Sequence, residues 1–178
     1  MGTGIIVCGL NGAGKSTLGK ALAEKLQYHF IDNEDLFFPK DNPTYLYASP
    51  RTKTEAEALL LQEIANHDHF VFASVIGNYS DAVINCFRYA IRIEVPKEIR
   101  MQRVQNRSYQ KFGNRMLPGG DLYEQESRFF DMVHQRKEEM VDHWIAKLQC
   151  PILCVDGTKK IEENVKLVAK KLDAANVF

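Results

Sequence analysis

Short apolar runs alternate along this chain with longer segments in which apolar residues recur every three or four positions. The short runs predict strands, and the longer segments predict amphipathic helices. The predicted strands are residues 4–9, 28–32, 69–77, 89–95 and 151–157. The predicted helices are residues 15–27, 54–67, 80–87, 96–112, 121–148 and 159–172, the fifth of them long enough to bend. Turn-rich residues at 41–50 and 113–120 predict loops. Strands that alternate with helices predict a parallel sheet covered by helices on both faces.

The composition is that of an ordinary globular chain. With 178 residues, of which 45% are hydrophobic and 26% charged, we expect one domain spanning residues 1–178. Lys+Arg and Asp+Glu are both 23, so an overall electrostatic attraction to nucleic acid or to a membrane surface is not indicated, although this balance leaves room for a local basic patch. The four cysteines and five histidines show no metal-ligand spacing. There is no basic leader and no apolar run of membrane-spanning length, so a cytoplasmic location is expected.

The most informative stretch is "VCGLNGAGKST", residues 7–17, which satisfies the pattern G-x-x-x-x-G-K-[ST]. Glycines let backbone N–H groups surround phosphates, and the helix that starts here adds its positive end. The lysine reaches the β- and γ-phosphates, and the hydroxyl ligates Mg²⁺. The stretch follows a predicted strand and precedes a predicted helix, as this mechanism requires. It predicts binding of the cofactors ATP and Mg²⁺ by Gly9, Asn11, Gly12, Ala13, Gly14, Lys15, Ser16 and Thr17, but does not by itself separate kinases, ATPases and GTPases.

In this loop and in the order of its strands and helices, the chain resembles the P-loop nucleoside, nucleotide and small-metabolite kinases, which include adenylate kinase and shikimate kinase. The resemblance covers nearly the whole chain. It implies an α/β, three-layer P-loop NTPase fold with a five-stranded parallel sheet and a short lid at about residues 108–122. The third predicted strand has Ser74 where motor ATPases and transporters place an acid, and no Asn-Lys-x-Asp motif of GTPases is present. Both absences favour a kinase.

The second predicted strand ends in "IDNEDLF", which places acids where open α/β sheets bind ligands. The resemblance implies that an acid here orients Mg²⁺ and its water or accepts the proton of a substrate hydroxyl. Asp32 matches the first acid of the Asp-x-Asp of shikimate-type kinases. The second acid is Glu34 by that spacing, or Asp35 if the loop is longer. A helix cap or a solvated turn is the other interpretation.

No acid occurs between residues 99 and 120, where basic residues recur every three or four positions. They are Arg100, Arg103, Arg107, Lys111 and Arg115. On a helix the first four of these residues share one face. A stripe of positive charges without nearby acids indicates a surface that binds an anion. The alternative is an exposed basic helix.

The resemblance assigns roles to several of these arginines. Arg103 and Arg107 match an R-x-x-x-R pattern in which one guanidinium covers adenine and the other meets phosphate. Arg115 swings in with the lid, and Arg128 matches a further phosphate-contacting position. Gly157, in the turn "VDGTKK", packs its backbone against the adenine edge or is simply part of a turn.

The resemblance places the acceptor near the ends of the second and third predicted strands, where the candidates are Asp32, Arg51, Gly77, Asn78 and Tyr79. Arg51 pairs with a phosphate or carboxylate, or lies in water. The aromatic loop from Phe37 to Thr52 shelters a ring-shaped acceptor or covers the core. No Gly-[FY]-Pro-Arg follows the third strand, so an AMP acceptor is not indicated.

The expected function is transfer of the γ-phosphate of Mg-ATP to a small-molecule hydroxyl or phosphate. Lys15, Asp32, Asp35, Arg107 and Arg115 are the catalytic candidates, and Ser16 and Asp32 are the metal candidates. One alternative is an ATP-binding or slowly hydrolysing module without an acceptor. The other is a polynucleotide end kinase, which the balanced charge disfavours.

Overall fold

The computed structural model describes residues 2–39, 45 and 47–174. Within these ranges, five strands form one parallel sheet in the order β2-β3-β1-β4-β5. The strands are β1 (Thr3–Cys8), β2 (His29–Asp32), β3 (His69–Ser74), β4 (Phe87–Glu94) and β5 (Ile152–Asp156). The predicted parallel sheet is confirmed, and the carboxyl ends of its strands meet at one edge.

The helices follow the predicted order with two differences. They are α1 (Lys15–Leu26), α2 (Asn33–Phe37), α3 (Lys53–Asn66), α4 (Asp81–Ile84), α5 (Lys97–Phe112), α6 (Tyr123–Gln135), α7 (Glu138–Ile145) and α8 (Ile161–Ala174), with a 3₁₀ turn at Gly113–Met116. The short α2 was not predicted. The predicted helix 121–148 is two helices, because Arg136 and Lys137 adopt extended backbone between them. Of the predicted loop 41–50, residues 41–44 and 46 lie outside the described residues.

Hydrophobic clusters cover both faces of the sheet, which confirms the three-layer arrangement. Alternation along β3 sends Phe70 and Phe72 to one face and Val71 to the other. The first face packs against α3 and α7, through residues that include Leu60, Ile64, Val141 and Trp144. The second packs against α1 and α8, through residues that include Leu18, Leu22, Val168 and Leu172. Across the ranges given above, every helix is too short or too polar to traverse a bilayer.

Candidate functional site

The loop between β1 and α1 is held open by glycines. Gly9, Gly12 and Gly14 have φ values of 147°, 82° and 97°, where a side chain would be strained. At Gly12 a Cβ atom would also lie only 2.3 Å from the carbonyl oxygen of Arg100. The first turn of α1 contains no acidic residue, and its cap, Gly14, brings no side chain. Its N–H groups therefore remain available to an anion.

Lys15 is the half-buried cation at the start of α1, and its Nζ donates to the carbonyl of Leu10 at 3.2 Å. The pKa of Lys15 is lowered to about 8, mainly because burial removes water from the ammonium, and the charges of Arg107 and Arg136 act in the same direction. Asp32 acts in the opposite direction. The structure thus brings one lysine and two arginines to the glycine loop, so that an anion bound there would relieve their mutual repulsion.

Asp32 ends β2 and caps α2, because its Oδ1 accepts the N–H of Glu34 at 3.0 Å. The cap interpretation of this acid is confirmed, and the charge of the same carboxylate also acts on Lys15. Asp35 is exposed on α2. Ser16 and Thr17 lie in the first turn of α1, with Ser16 half-buried and Thr17 exposed.

Glu34 is the acid of α2 that faces α5. Its Oε1 accepts from Lys111 Nζ at 3.3 Å and from the Tyr47 hydroxyl at 2.9 Å. Burial would raise the pKa of Glu34, but the charges of Lys111 and Arg107 outweigh it and hold that pKa below its usual value. The ring of Tyr47 in turn lies 6.3 Å from that of Phe112. These contacts join the loop after α2 to the end of α5.

The predicted basic face of α5 is present, but two of its cations have acidic partners, whereas the sequence predicted a stripe without them. Arg100 is 3% exposed and pairs with Glu138 of α7, at 3.0 Å from Nη2 to Oε1. Lys111 pairs with Glu34. Both acids are distant in sequence, so the absence of acids between 99 and 120 did not mean an absence of partners.

Arg103 and Arg107 face the glycine loop. The Arg103 guanidinium donates to the carbonyls of Gly157 at 3.0 Å and of Gly12 at 3.4 Å, and so bridges the turn after β5 to that loop. At Gly157 a Cβ atom would lie 2.9 Å from the carbonyl oxygen of Ala13, so this turn packs directly on the loop. Arg107 is half-buried, and its charge acts on both Lys15 and Glu34.

Two arginines that were expected near the phosphates have partners elsewhere. Arg115 donates through Nε and Nη2 to both carboxylate oxygens of Asp121, at 3.0 and 2.7 Å. Those hydrogen bonds hold the pKa of Asp121 below its usual value. Arg128 pairs with Glu124 on the exposed side of α6. The described contacts therefore do not bring either guanidinium to the glycine loop.

Arg136 is the site residue that the sequence did not indicate. It occupies the break between α6 and α7, and its Nη1 donates to Asn11 Oδ1 at 2.6 Å. Burial lowers its pKa. The available signal was the polar segment around residues 135–139, which interrupts the apolar periodicity of the predicted helix. That segment contains neither glycine nor proline, so no local helix breaker marks the end of α6.

The acceptor candidates have mainly structural contacts. Arg51 Nη1 donates to the carbonyl of Leu36 at 2.9 Å and so supports the end of α2. Gly77 is buried where a Cβ atom would lie 2.8 Å from Ile6 and 3.0 Å from Trp144, so a larger residue would require these side chains to shift. Asn78 is exposed. The Tyr79 hydroxyl donates to Asn33 Oδ1, which joins the segment after β3 to α2.

Comparisons with known proteins agree with this architecture. Residues 5–131 match the family model AAA_18, described as AAA domain. YqaC of Bacillus subtilis (strain 168), an uncharacterized protein, is 25% identical over 178 residues that span 96% of this chain and 97% of that protein. A deoxyadenosine kinase from M. mycoides with bound dATP superposes with a TM-score of 0.59 at 17% identity, covering 95% of this chain and 98% of the kinase.

A gluconokinase from Sinorhizobium meliloti 1021 superposes with a TM-score of 0.52 at 16% identity, covering 98% of this chain and 97% of the other. At these identities the two kinases show a shared fold. Since the family model matches well over half of the chain, the protein belongs to the AAA_18 family, and its fold is that of the P-loop kinases.

Proposed function

We propose that this protein is an ATP-dependent phosphotransferase that moves the γ-phosphate of Mg-ATP to a hydroxyl or phosphate group of a small molecule. The observation that carries the proposal is the meeting of Lys15, Arg107 and Arg136 at the amino end of α1. Their proximity lowers the pKa of Lys15 beyond the effect of burial. A polyphosphate supplies the negative charge that this arrangement lacks.

The nucleotide would occupy the loop and the surfaces beside it. The amides of residues 9–17 and Lys15 would hold the phosphates, and Asn11 would be oriented by Arg136. Adenine would lie between α5 and the turn after β5, beside the hydrogen bond from Arg103 to Gly157. Oligonucleotides fit less well, because the chain as a whole carries no excess of positive charge.

The oxygen donors beside the loop fit Mg²⁺. Ser16 offers a hydroxyl in the first turn of α1, and Asp32 offers a carboxylate at the end of β2. Mg²⁺ prefers such oxygen ligands and keeps several waters. A carboxylate accepts through two oxygens, so the cap to Glu34 leaves capacity for a metal-bound water. When bound, Mg²⁺ would neutralise charge on the β- and γ-phosphates.

Phosphoryl transfer requires positioning and charge stabilisation more than covalent chemistry. Lys15 and Arg107 would hold the γ-phosphate as its charge redistributes. Asp32 would accept the proton of a hydroxyl acceptor, and Asp35, which is exposed, is the alternative base. The acceptor would lie beyond the ends of β2 and β3, near Asn78 and within reach of Arg51 after a side-chain rotation.

We extend the proposal to the segment 108–122 as a lid in a single-domain protein. Arg115 would exchange Asp121 for a phosphate when the segment closes over the nucleotide. Gly113 and Gly119, with φ values of 56° and 89°, flank the moving part. Closure would exclude water from the reacting phosphate and so limit hydrolysis.

The test is a screen for acceptor-stimulated ADP formation with nucleosides, nucleoside monophosphates, sugars and hydroxy acids. We expect at least one class to raise ADP formation well above the rate without acceptor. Lys15→Ala should reduce that rate by about 100-fold or more, because it removes charge from the transition state. Lys25→Ala, an exposed lysine at the other end of α1, is the matched control and should retain full activity.

Other outcomes would contradict the proposal. Slow ADP formation that no acceptor stimulates would indicate an ATP-binding module instead. Saturable phosphorylation of an oligonucleotide 5′ or 3′ end, with binding that weakens steeply as salt rises, would indicate a polynucleotide kinase. Full activity of Lys15→Ala would refute the assigned role of the loop.

A further inference from the structure

Three side chains with metal-binding atoms meet at the amino edge of the sheet, opposite the glycine loop. His29 is the first residue of β2, and Glu63 and His67 lie at the end of α3. His29 Nε2 lies 2.8 Å and His67 Nδ1 3.8 Å from the same oxygen, Glu63 Oε2. One ligand atom from each residue lies within 4.8 Å of the others.

The fold brings these residues together from two elements. Glu63 and His67 are four positions apart, which places them on one helix face. His29 precedes Glu63 by 34 residues and joins them only because β2 pairs with β3, the strand that follows α3. The two imidazole rings stack with centroids 3.6 Å apart and planes 2° apart. Because the lone pair of a ring nitrogen lies in the plane of its ring, the rings must tilt out of this stack for both nitrogens to reach one ion. Because His29 is so far from Glu63 and His67 in the sequence, residue spacing does not indicate a metal site here.

We propose that His29, Glu63 and His67 bind one divalent transition-metal ion of the zinc class. Two imidazoles and one carboxylate suit Zn²⁺ and its neighbours, whereas Mg²⁺ and Ca²⁺ prefer sites made only of oxygen. Three protein ligands leave the fourth tetrahedral position for water. The side chains are 35%, 42% and 35% exposed, which gives an ion a path from solvent.

Binding changes the existing contacts in a defined way. With tetrahedral bonds of about 2.0–2.2 Å to the ion, neighbouring ligand atoms lie about 3.4 Å apart. The ion therefore replaces the 2.8 Å hydrogen bond between His29 and Glu63 with a wider separation, and it draws His67 Nδ1 closer to Glu63 Oε2 than the present 3.8 Å. His67 Nδ1 also lies 2.9 Å from the Glu63 carbonyl, a hydrogen bond that is given up if this nitrogen coordinates. Because the site is not fully preformed, we expect binding weaker than in a closed structural zinc site.

The position of the cluster indicates a structural role. β2 is a four-residue strand at the edge of the sheet, and its other end carries Asp32. A metal ion here ties the start of that strand to the end of α3. It would stabilise the edge of the sheet without taking part in binding at the glycine loop, so this inference is independent of the proposed function.

The experiment is calorimetric titration of the full-length protein, without an affinity tag, with Zn²⁺ in a buffer that contains Mg²⁺ and no nucleotide. We expect one equivalent to bind. Glu63→Gln and His67→Ala should each lose saturable binding, while His143→Gln, which changes an exposed histidine of α7, should bind as the wild type does. Cys154→Ser, which removes an exposed thiol, should also retain binding.

Thermal melting supplies a second measurement. At about 100 times the dissociation constant, Zn²⁺ should raise the Tm of the wild type and of His143→Gln by about 5 °C or more and leave that of Glu63→Gln unchanged. Circular dichroism checks that each variant is folded. If His67→Ala is unfolded, the near-isosteric Glu63→Gln is the variant that tests the proposal. Absence of saturable binding to the wild type, or equal binding by folded Glu63→Gln, would overturn the proposal.

Discussion

Arg136 contacts the glycine loop although nothing in its sequence neighbourhood indicates a role there. It donates to Asn11 within the glycine loop and its charge lowers the pKa of Lys15. We predict that Arg136→Ala weakens Mg-ATP binding by about 10- to 100-fold, the range expected when a hydrogen bond to a charged group is lost. Arg128→Ala, which changes an exposed arginine of α6, is the control and should bind normally. Equal affinities of the two variants in calorimetry would exclude Arg136 from the site.

Lys15 carries a prediction on pH. Its pKa in the free protein is lowered to about 8, while a bound triphosphate favours the charged ammonium. Below pH 8 the lysine is already protonated, so affinity is constant. Above pH 8 binding must take up a proton, and the affinity for Mg-ATP should fall by up to about tenfold per pH unit until the pKa of the bound state is reached. Calorimetry between pH 7 and 9.5 measures this. In Arg136→Ala the onset should move to higher pH, and a flat profile across this range would contradict the assignment.

At the scale of elements, the glycine loop depends on its contact with α5. Gly12 and Gly119 have similar φ values, 82° and 89°. A Cβ atom at Gly12 would meet the Arg100 carbonyl, whereas a Cβ atom at Gly119 would have no neighbouring atom within 4 Å. We predict that Gly119→Ala costs about 1 kcal/mol of the free energy of unfolding, from backbone strain alone. Gly12→Ala should cost clearly more and also abolish nucleotide binding. Urea unfolding and calorimetry measure both effects, and equal costs would show that the loop can move away from α5.

The elements themselves were largely predictable, for physical reasons that also explain the failures. Strands buried on both faces are continuous apolar runs, such as Ile5 to Val7 and Phe70 to Ala73, so they stand out in the sequence. The five residues of α2 are too few to show helical periodicity. The break at Arg136 depends on a tertiary contact with Asn11 that no local signal encodes.

At the scale of the whole molecule, the site was predictable only in the part that one segment supplies. Residues 9–17 carry their own signature, whereas Arg103, Arg107 and Asp32 are indicated by the resemblance to the P-loop kinases. Neither source indicates the acids that pair with the basic face of α5, because Glu34 and Glu138 come from opposite ends of the chain. The same argument holds for the cluster of His29, Glu63 and His67, which exists only after the sheet has formed.

The glycine loop contacts elements from along the whole chain, and this leads to a prediction for the stability of the entire protein. Arg103 joins the loop to the turn after β5, Arg100 packs it on α5 and α7, and Arg136 joins it to the break after α6. A nucleotide that binds here favours all of these contacts at once. At about 100 times its dissociation constant, Mg-ATP should stabilise the fold by about 2.7 kcal/mol and raise the Tm by about 5–10 °C in one transition. Lys15→Ala should abolish the shift and Lys25→Ala should keep it. A biphasic melt, in which only part of the signal moves with Mg-ATP, would show that these elements unfold separately and that the loop does not connect them.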